Sequence, residues 1–510
     1  MKFKKWIVLV TVGVMILSLC SCKTNTLETN TNDNGDELTL KWVLNSTKRE
    51  DSEKVWAVYN KKLREIIPGT TIEFEPISGS NYEEKWQLMM AAEETVDIAW
   101  SGYAISSFIG EVEKGAYLPL DELIGEYAKD LKEEMPEWFF ELGKVAGATY
   151  CIPNYQVMSS SPYGLHFPKE LADKYLDEEA LKQRFMEWTE DPDNEEKGRA
   201  FYQVIEDYLA ALKDNNLLGK GYDVTSITIS PNIKYDSSTI TDFFITPDEK
   251  IVIRPETVDS KLRYKIANEW FNKGYIHSNI LSDNAATGDA YEKGYVIWGH
   301  SYYNKDTEMD ETISKGVPMK VVPLGEKYYI KNSIPSTSTV IPHTAQNPAR
   351  SMKVIDLMNT KKGKELYNML AFGIEGEHYE RVSDNRIKTL HYDSSANSES
   401  PYGINNWVVG NTLHSWEHQI RSDGYYEYCM SLDDNAEILP TVGFKPDTSR
   451  ISTEIAQCNS VRDEFKELSY GAFSGWESRY NQYMTKLNEA GCETIRESLQ
   501  TQLDTWLQKK

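Results

Sequence analysis

Near its start the chain carries one long, mostly apolar run and then settles into alternating and helical patterns. Trp6–Leu19 (WIVLVTVGVMILSL) is interrupted only by Thr11, Gly13 and Ser18, and it follows Lys2, Lys4 and Lys5. That length is short for a membrane span and suits the hydrophobic part of a signal peptide. Lys23–Glu37 is Thr/Asn-rich with no apolar period, which predicts a flexible tether. From Leu38 the pattern changes. Leu38–Leu44 alternates as a strand, and a helix from about Asp51 carries Val55, Tyr59, Leu63 and Ile66 on one face until Pro68-Gly69 stops it. Thr70–Ile77 alternates again, a helix follows through Trp86, Met89 and Met90, and Thr95–Tyr103 (TVDIAWSGY) reads as a third strand. This β-α-β-α-β order predicts parallel strands covered by helices. Ligands of such sheets bind outside the carboxyl ends of the strands. Trp100, Ser101 and Tyr103 are therefore expected to form one wall of a ligand cleft.

Further on, Gly147–Gln156 predicts a strand ending in Asn154, Tyr155 and Gln156, with Ile152-Pro153 marking a crossing between lobes. Pro168 to Asn216 reads as helical and acidic. Asp191, Asp193 and Glu195 there have the spacing of a calcium loop, but Glu196 stands where the loop needs glycine, so they are read as a solvated turn. Short strands are expected over Gly221–Ile253, then a helix from about Glu256 to Gly274 bearing Leu262, Ile266 and Trp270. Lys293-Gly294 predicts the end of a helix and Tyr295–Trp298 a strand, which places Trp298-Gly299 at a tip like that of Trp100–Gly102. Lys320–Leu324 is a further strand, Ser333–Pro342 a return crossing and Asn347–Leu370 a helix pair. A last long helix starts near Glu477 and breaks near Gly491.

A chain of 510 residues exceeds one ordinary core, so two or more lobes are expected. Its 79 acidic against 55 basic residues, a formal net charge of −24, argue against nucleic acid as a partner, since phosphate neutralisation needs clustered cations. Cys151, Cys429, Cys458 and Cys492 match no zinc or redox spacing; they are read as buried thiols, with disulfide pairing left open. Catalytic signatures are missing: no G-x-S-x-G, no H-E-x-x-H, no phosphate loop and no G-x-G-x-x-G. His414 and His418 could share a helix face beside Glu417, but a metal site needs more converging ligands, and a surface helix is expected. With so many carboxylates, no pair singles itself out for glycoside hydrolysis. No catalytic residue, metal or cofactor is predicted. Aromatic residues with amides recur instead at predicted turns: Trp100, Tyr103, Asn154, Tyr155, Gln156, Trp298, Tyr302 and Trp407. A sugar offers a C–H face on which a ring can stack and a rim of hydroxyls for amides and carboxylates to bracket.

Leu19-Cys20-Ser21-Cys22 resembles a bacterial lipobox, with Leu19 and Ser21 at the aliphatic and small positions before Cys22. This implies removal of residues 1–21, lipidation of Cys22, a tether over 22–37 and a protein anchored to the cell membrane facing outside. Several stretches carry a wider resemblance: Asp97–Trp100, Lys114–Leu120 (KGAYLPL), Tyr150–Gln156, Glu292–Gly299 and Asn347–Tyr367. The tail adds Phe372–Gly376 (FGIEG), Trp407, Gly443-Phe444 and the last helix. In this order they resemble extracellular solute-binding proteins of carbohydrate ABC importers, in a long subgroup, common in Gram-positive bacteria, with its own C-terminal domain. The resemblance implies an α/β, two-lobed periplasmic-binding-protein-like fold of type II, hinged, with a ligand cleft between lobes. Residues 38–152 and 325–375 would form the first lobe, and 155–320 with 376–510 the second. Ser46 and Glu375 join the expected ligand contacts, and the importer's permease subunits the expected partners. One departure is Lys48-Arg49-Glu50 directly after Asn45-Ser46-Thr47, which suggests a pocket that reads charge as well as hydroxyls. A peptide or amino-acid receptor on the same fold, and a surface glycan-cleaving lipoprotein, are the rival readings.

Overall fold

The structure, a computed structural model, describes residues 36–105, 107–160, 163–224, 229–283, 290–300, 303–390 and 400–510. The leader, Cys22, most of the tether and Tyr302 lie outside the described residues. The first sheet forms where the alternation placed it. Strand β1 (Leu38–Asn45), helix α1 (Ser52–Ile66), strand β2 (Thr70–Ile77), helix α2 (Gly79–Ala91) and strand β3 (Ile98–Gly102) follow in order. β1 runs parallel to both β2 and β3. Val55, Tyr59 and Leu63 of α1 are buried, and so are Leu40, Trp42, Val43 and Leu44 of β1, because helices cover a parallel sheet on both faces.

Two short strands arrive from far along the chain. Thr337–Val340 pairs antiparallel with β3, and Ile152–Pro153 pairs antiparallel with Thr337–Val340, which gives a five-stranded sheet with β3 at its centre. These are the two crossings read from the prolines. A second sheet, ordered Met319–Pro323, Gly164–Pro168, Tyr295–His300 and Gly221–Tyr222, carries its own core of Phe167, Trp188, Phe201, Tyr208 and Trp270. Before Tyr295 the described residues make a turn, closed by Gly294 N–H on the Tyr291 carbonyl, where a helix end was expected. Asp191 and Asp193 sit exposed in the turn between helices Glu178–Thr189 and Glu195–Asp214. The post-crossing helix Pro348–Asn359 starts on its proline, with Asn347 Oδ1 accepting from Arg350 N at 2.9 Å.

The tail corrects the expected lobe boundary. Tyr402, Ile404, Val408, Val409, Leu413, Tyr426 and Cys429 belong to the core of the first lobe, not the second. Polar anchors fix them there: Tyr367 Oη donates to the Asn406 carbonyl at 2.9 Å, and Tyr402 Oη to that of Leu370 at 2.6 Å. From Phe444 the chain changes sides. Ile451, Phe465, Tyr483, Ile495, Leu499 and Leu503 pack with Phe243, Ile245, Ile251 and Ile253 of a hairpin and with Tyr264 on the helix Val258–Lys273. The last two helices, Trp476–Glu489 and Cys492–Leu507, break at Gly491, whose φ of +91° a side chain adopts only under strain. Cys151, Cys429, Cys458 and Cys492 are free and buried. Among the described residues no helix is long and apolar enough to cross a membrane.

Candidate ligand-binding cleft

Three strand ends converge on one cavity of about 290 Å³. β1 delivers Asn45, Ser46 and Thr47, with Arg49 just beyond; β2 delivers Ser78 and Gly79; β3 delivers Tyr103. The far wall comes from the tail, with His378, Thr389, Tyr402, Asn405 and His418. Asn45 Nδ2 donates to Tyr103 Oη at 3.2 Å, which holds a ring that is otherwise 64% exposed. Tyr103 also meets Trp407 at 5.9 Å between ring centroids and Trp100 edge-on at 5.4 Å. Arg49 Nη1 donates to the Ser400 carbonyl at 3.1 Å. His378 Nδ1 accepts from Ile374 N at 3.0 Å, so its proton sits on Nε2, which faces Asp51 Oδ2 at 3.2 Å. His418 Nε2 lies 2.9 Å from Thr389 Oγ1, and burial, helped by Arg421, pushes its imidazole down to about 4. It is therefore neutral at physiological pH. The lining as a whole offers hydroxyls, amides, neutral imidazole and one guanidinium beside an exposed aromatic ring, which is chemistry suited to a polyhydroxylated ligand.

Of the residues expected at the site, Ser46 and Tyr103 line this cavity and half-buried Trp407 backs it. Others move elsewhere. Trp100 is buried, not on the wall: its Nε1 donates to Thr337 Oγ1 at 2.7 Å and Tyr82 packs edge-on at 5.0 Å. The reason is that β3 lies between two strands under helices, so both of its faces are core. Gly102 serves the same crossing, since a Cβ there would lie 2.3 Å from the Ser336 carbonyl oxygen. Ser101 is buried against Tyr117, Oγ to Oη 3.1 Å. Trp298 is fully buried in the second lobe, on a strand opposite His166 with rings 5.9 Å apart. Asn154 is a clasp. Its Nδ2 donates to the carbonyls of Trp407 and Val408 at 3.0 and 2.9 Å, and its Oδ1 accepts from Thr339 Oγ1 at 2.8 Å. Tyr155 packs on Phe139 and Trp138, Gln156 is half-buried beside it, and Glu375 is exposed near Arg381 at 3.9 Å.

His414 and His418 do not share a helix. Thr412–His414 is a 3₁₀ turn and Glu417–His418 a short strand paired with Arg386-Ile387. Glu417 is committed to Arg386 at 2.6 Å, and no metal-binding cluster of three or more His, Cys, Asp or Glu occurs among the described residues. The tail also bridges the lobes. Arg421 Nη1 grips both oxygens of Asp310 at 2.7 and 2.6 Å, and Ser422 N donates to buried Asp306 at 3.0 Å. Burial raises the Asp310 carboxyl while Arg421 pulls it back down.

Comparison with known proteins places this geometry. An N-glycan transport solute binding protein (NgtS) from Streptococcus pneumoniae superposes with a TM-score of 0.77 at 21% identity, covering 93% of this chain and 100% of that one. The fold is that of a two-lobed solute-binding protein. Complexes of NgtS with Man1GlcNAc and Man5GlcNAc match with TM-scores of 0.67 and 0.66, both at 21% identity, covering 92% and 93% of this chain and 99% of each. A carbohydrate ABC transporter substrate-binding protein of Streptococcus pneumoniae serotype 4 is 22% identical over 495 residues, 94% of this chain and 93% of that one. Residues 440–508 match a domain of unknown function, DUF3502. That stretch is the helical unit packed on the second lobe's hairpin.

Proposed function

We propose that the chain captures an oligosaccharide between its lobes and hands it to the permease subunits of an ABC importer. The observation that carries the sugar reading is the first-lobe cavity at the carboxyl ends of β1, β2 and β3, where hydroxyls and amides surround the exposed ring of Tyr103, a ring that also faces second-lobe residues across the cleft. The relatives support the same reading, one named a carbohydrate ABC transporter substrate-binding protein and one solved with Man1GlcNAc and with Man5GlcNAc. Capture requires no covalent step, so the protein acts as a receptor and not as an enzyme. Contacts to both lobes favour the closed arrangement, which the permease would then recognise. Lipidation at Cys22 would hold the receptor at the outer face of the membrane.

The test is calorimetry and thermal shift with Man1GlcNAc, Man5GlcNAc and a set of short peptides. Ligand at a hundred times Kd adds roughly 2.7 kcal/mol of stability, a readily measured upward shift. Binding of peptides in place of both glycans would move the protein to the peptide-receptor class. Cleavage of Man5GlcNAc during incubation would make it an enzyme.

A further inference from the structure

The two cysteines of the C-terminal unit come to one place. Cys458 lies on the helix Ser452–Glu464, and Cys492 is the first residue of the helix Cys492–Leu507. Glu454, one turn before Cys458 on the same helix face, packs on the break between the last two helices, where a Cβ on Gly491 would lie 2.8 Å from Glu454 Cγ. Cys458 reaches the same break: its Sγ lies 3.8 Å from the carbonyl oxygen of Ala490, two residues ahead of Cys492. Cys492 Sγ turns back across Gly491 to donate to Asn488 Oδ1 at 3.1 Å. Both side chains are buried in one apolar core with Tyr483, Leu487 and Ile495.

The other two thiols are placed differently. Cys151 packs beside Gly143, and Cys429 lies on the helix Tyr425–Asp434; both belong to the core of the first lobe. Cys458 and Cys492 are therefore the pair that the fold brings together inside a single unit. The two are close enough to feel each other's charge: burial, and after it the neighbouring Cys458, pushes the Cys492 thiol up to about 11, and burial raises Cys458 as well. Neither is a ready nucleophile while the unit is closed, since the thiolate is the reactive form. Exchange takes place when the last helix undocks, during folding or in local unfolding.

We propose that Cys458 and Cys492 join as a disulfide that fastens the helix Ser452–Glu464 to the joint at Gly491. The oxidant is a small external disulfide compound. The thiolate of one cysteine attacks it, forming a mixed disulfide and releasing one thiol; the thiolate of the other attacks the mixed disulfide and releases the second. Two protein S–H bonds are lost and one S–S bond forms, and the two electrons and two protons leave on the two released thiols. The closed loop contains the helix Trp476–Glu489, within the domain over 440–508, and closing it takes conformational freedom from the unfolded chain. Neither cysteine lines the cavity at Tyr103, so the inference is independent of sugar capture.

Thiol mapping tests it. The protein is reduced, incubated with oxidised glutathione in mild urea, blocked with N-ethylmaleimide and digested, and its peptides are read by mass spectrometry without reductant. A pair of peptides joined through Cys458 and Cys492 is expected, with Cys151 and Cys429 carrying the blocking group. The joined form should melt above the reduced form by roughly 4 °C or more. Cys458→Ser and, separately, Cys492→Ser should each abolish the joined peptides and the melting difference together. Cys458 and Cys492 both blocked in the wild type overturns the pairing, and so does either one joined to glutathione, to Cys151 or to Cys429. A joined form that melts no higher than the reduced one overturns the fastening role.

Discussion

Tyr103 and Trp298 are both aromatic residues at strand ends, yet truncating them should have opposite effects. Tyr103 is 64% exposed, so Tyr103→Ala removes little packing and should change unfolding free energy by about 0.5 kcal/mol at most. In the ligand complex the same ring contributes roughly 0.5–1.5 kcal/mol of stacking geometry, in addition to the area it buries. At about 1.4 kcal/mol per decade, tenfold or greater weakening of glycan binding follows. Trp298 is fully buried among second-lobe residues. Trp298→Ala should therefore cost about 3–5 kcal/mol of stability. At about 2–4 °C per kcal/mol for a lobe of this size, the melting temperature falls by roughly 6–20 °C. Differential scanning calorimetry for melting and titration calorimetry with Man5GlcNAc for affinity read both quantities on each variant. The reasoning is refuted if Tyr103→Ala melts early while binding normally, or if Trp298→Ala keeps its melting temperature and loses only affinity.

Three other outcomes are expected. Arg421→Met breaks the bridge to Asp310 and Asp306, so the ligand-free protein should show a larger radius of gyration by small-angle scattering; an unchanged profile removes any role for the bridge in holding the lobes together. Asp356 accepts from Leu131 N at 2.8 Å, and burial pushes its carboxyl up to about 6, only partly opposed by that hydrogen bond. Its contribution to stability is thus full below about pH 4 and lost as pH rises through 6. Asp356→Asn keeps an acceptor without the charge, so it should melt above wild type at pH 7.5 and level with it at pH 4; the same difference at both values rules this out. Cys22→Ala should leave the protein in the soluble fraction of cells, because acyl chains at about 0.8 kcal/mol per buried CH₂ are the proposed anchor, and continued sedimentation with membranes would remove the lipid from the account.

The first sheet was legible because each of its signals is local. Alternation in Leu38–Leu44 and Thr70–Ile77, with Pro68-Gly69 between helix and strand, gives β1 and β2 almost to the residue. The facing of β3 was not legible. Alternation marks a strand with one wet face, and the sequence has no sign that Thr337–Val340 will close its second edge and bury Trp100. Tyr103 was expected at a cleft because ligands sit at strand ends, and Ser46 because of the family resemblance; both line the candidate cavity. His378, Thr389 and His418 were missed as site residues because they come from short, aperiodic elements of the tail whose position is set by long-range contacts.

The threading of the first lobe has a bearing on how the protein is made. Its core draws on Leu40 to Tyr155, then on Val340 to Leu370, and finally on Tyr402 to Cys429, with the second sheet emerging in between. On a ribosome adding about 5–20 residues per second, β3 waits roughly 10–50 s for its neighbour Thr337–Val340. Over that interval β1 and β2 can pair, but the outer edge of β3 presents bare amides and carbonyls, a template for pairing with other chains. The core is completed only when Tyr426 and Cys429 arrive, after more than four-fifths of the chain has been synthesised. A nascent chain of this topology cannot complete its first core until late in its synthesis, so the partly paired sheet needs its open edge shielded until then.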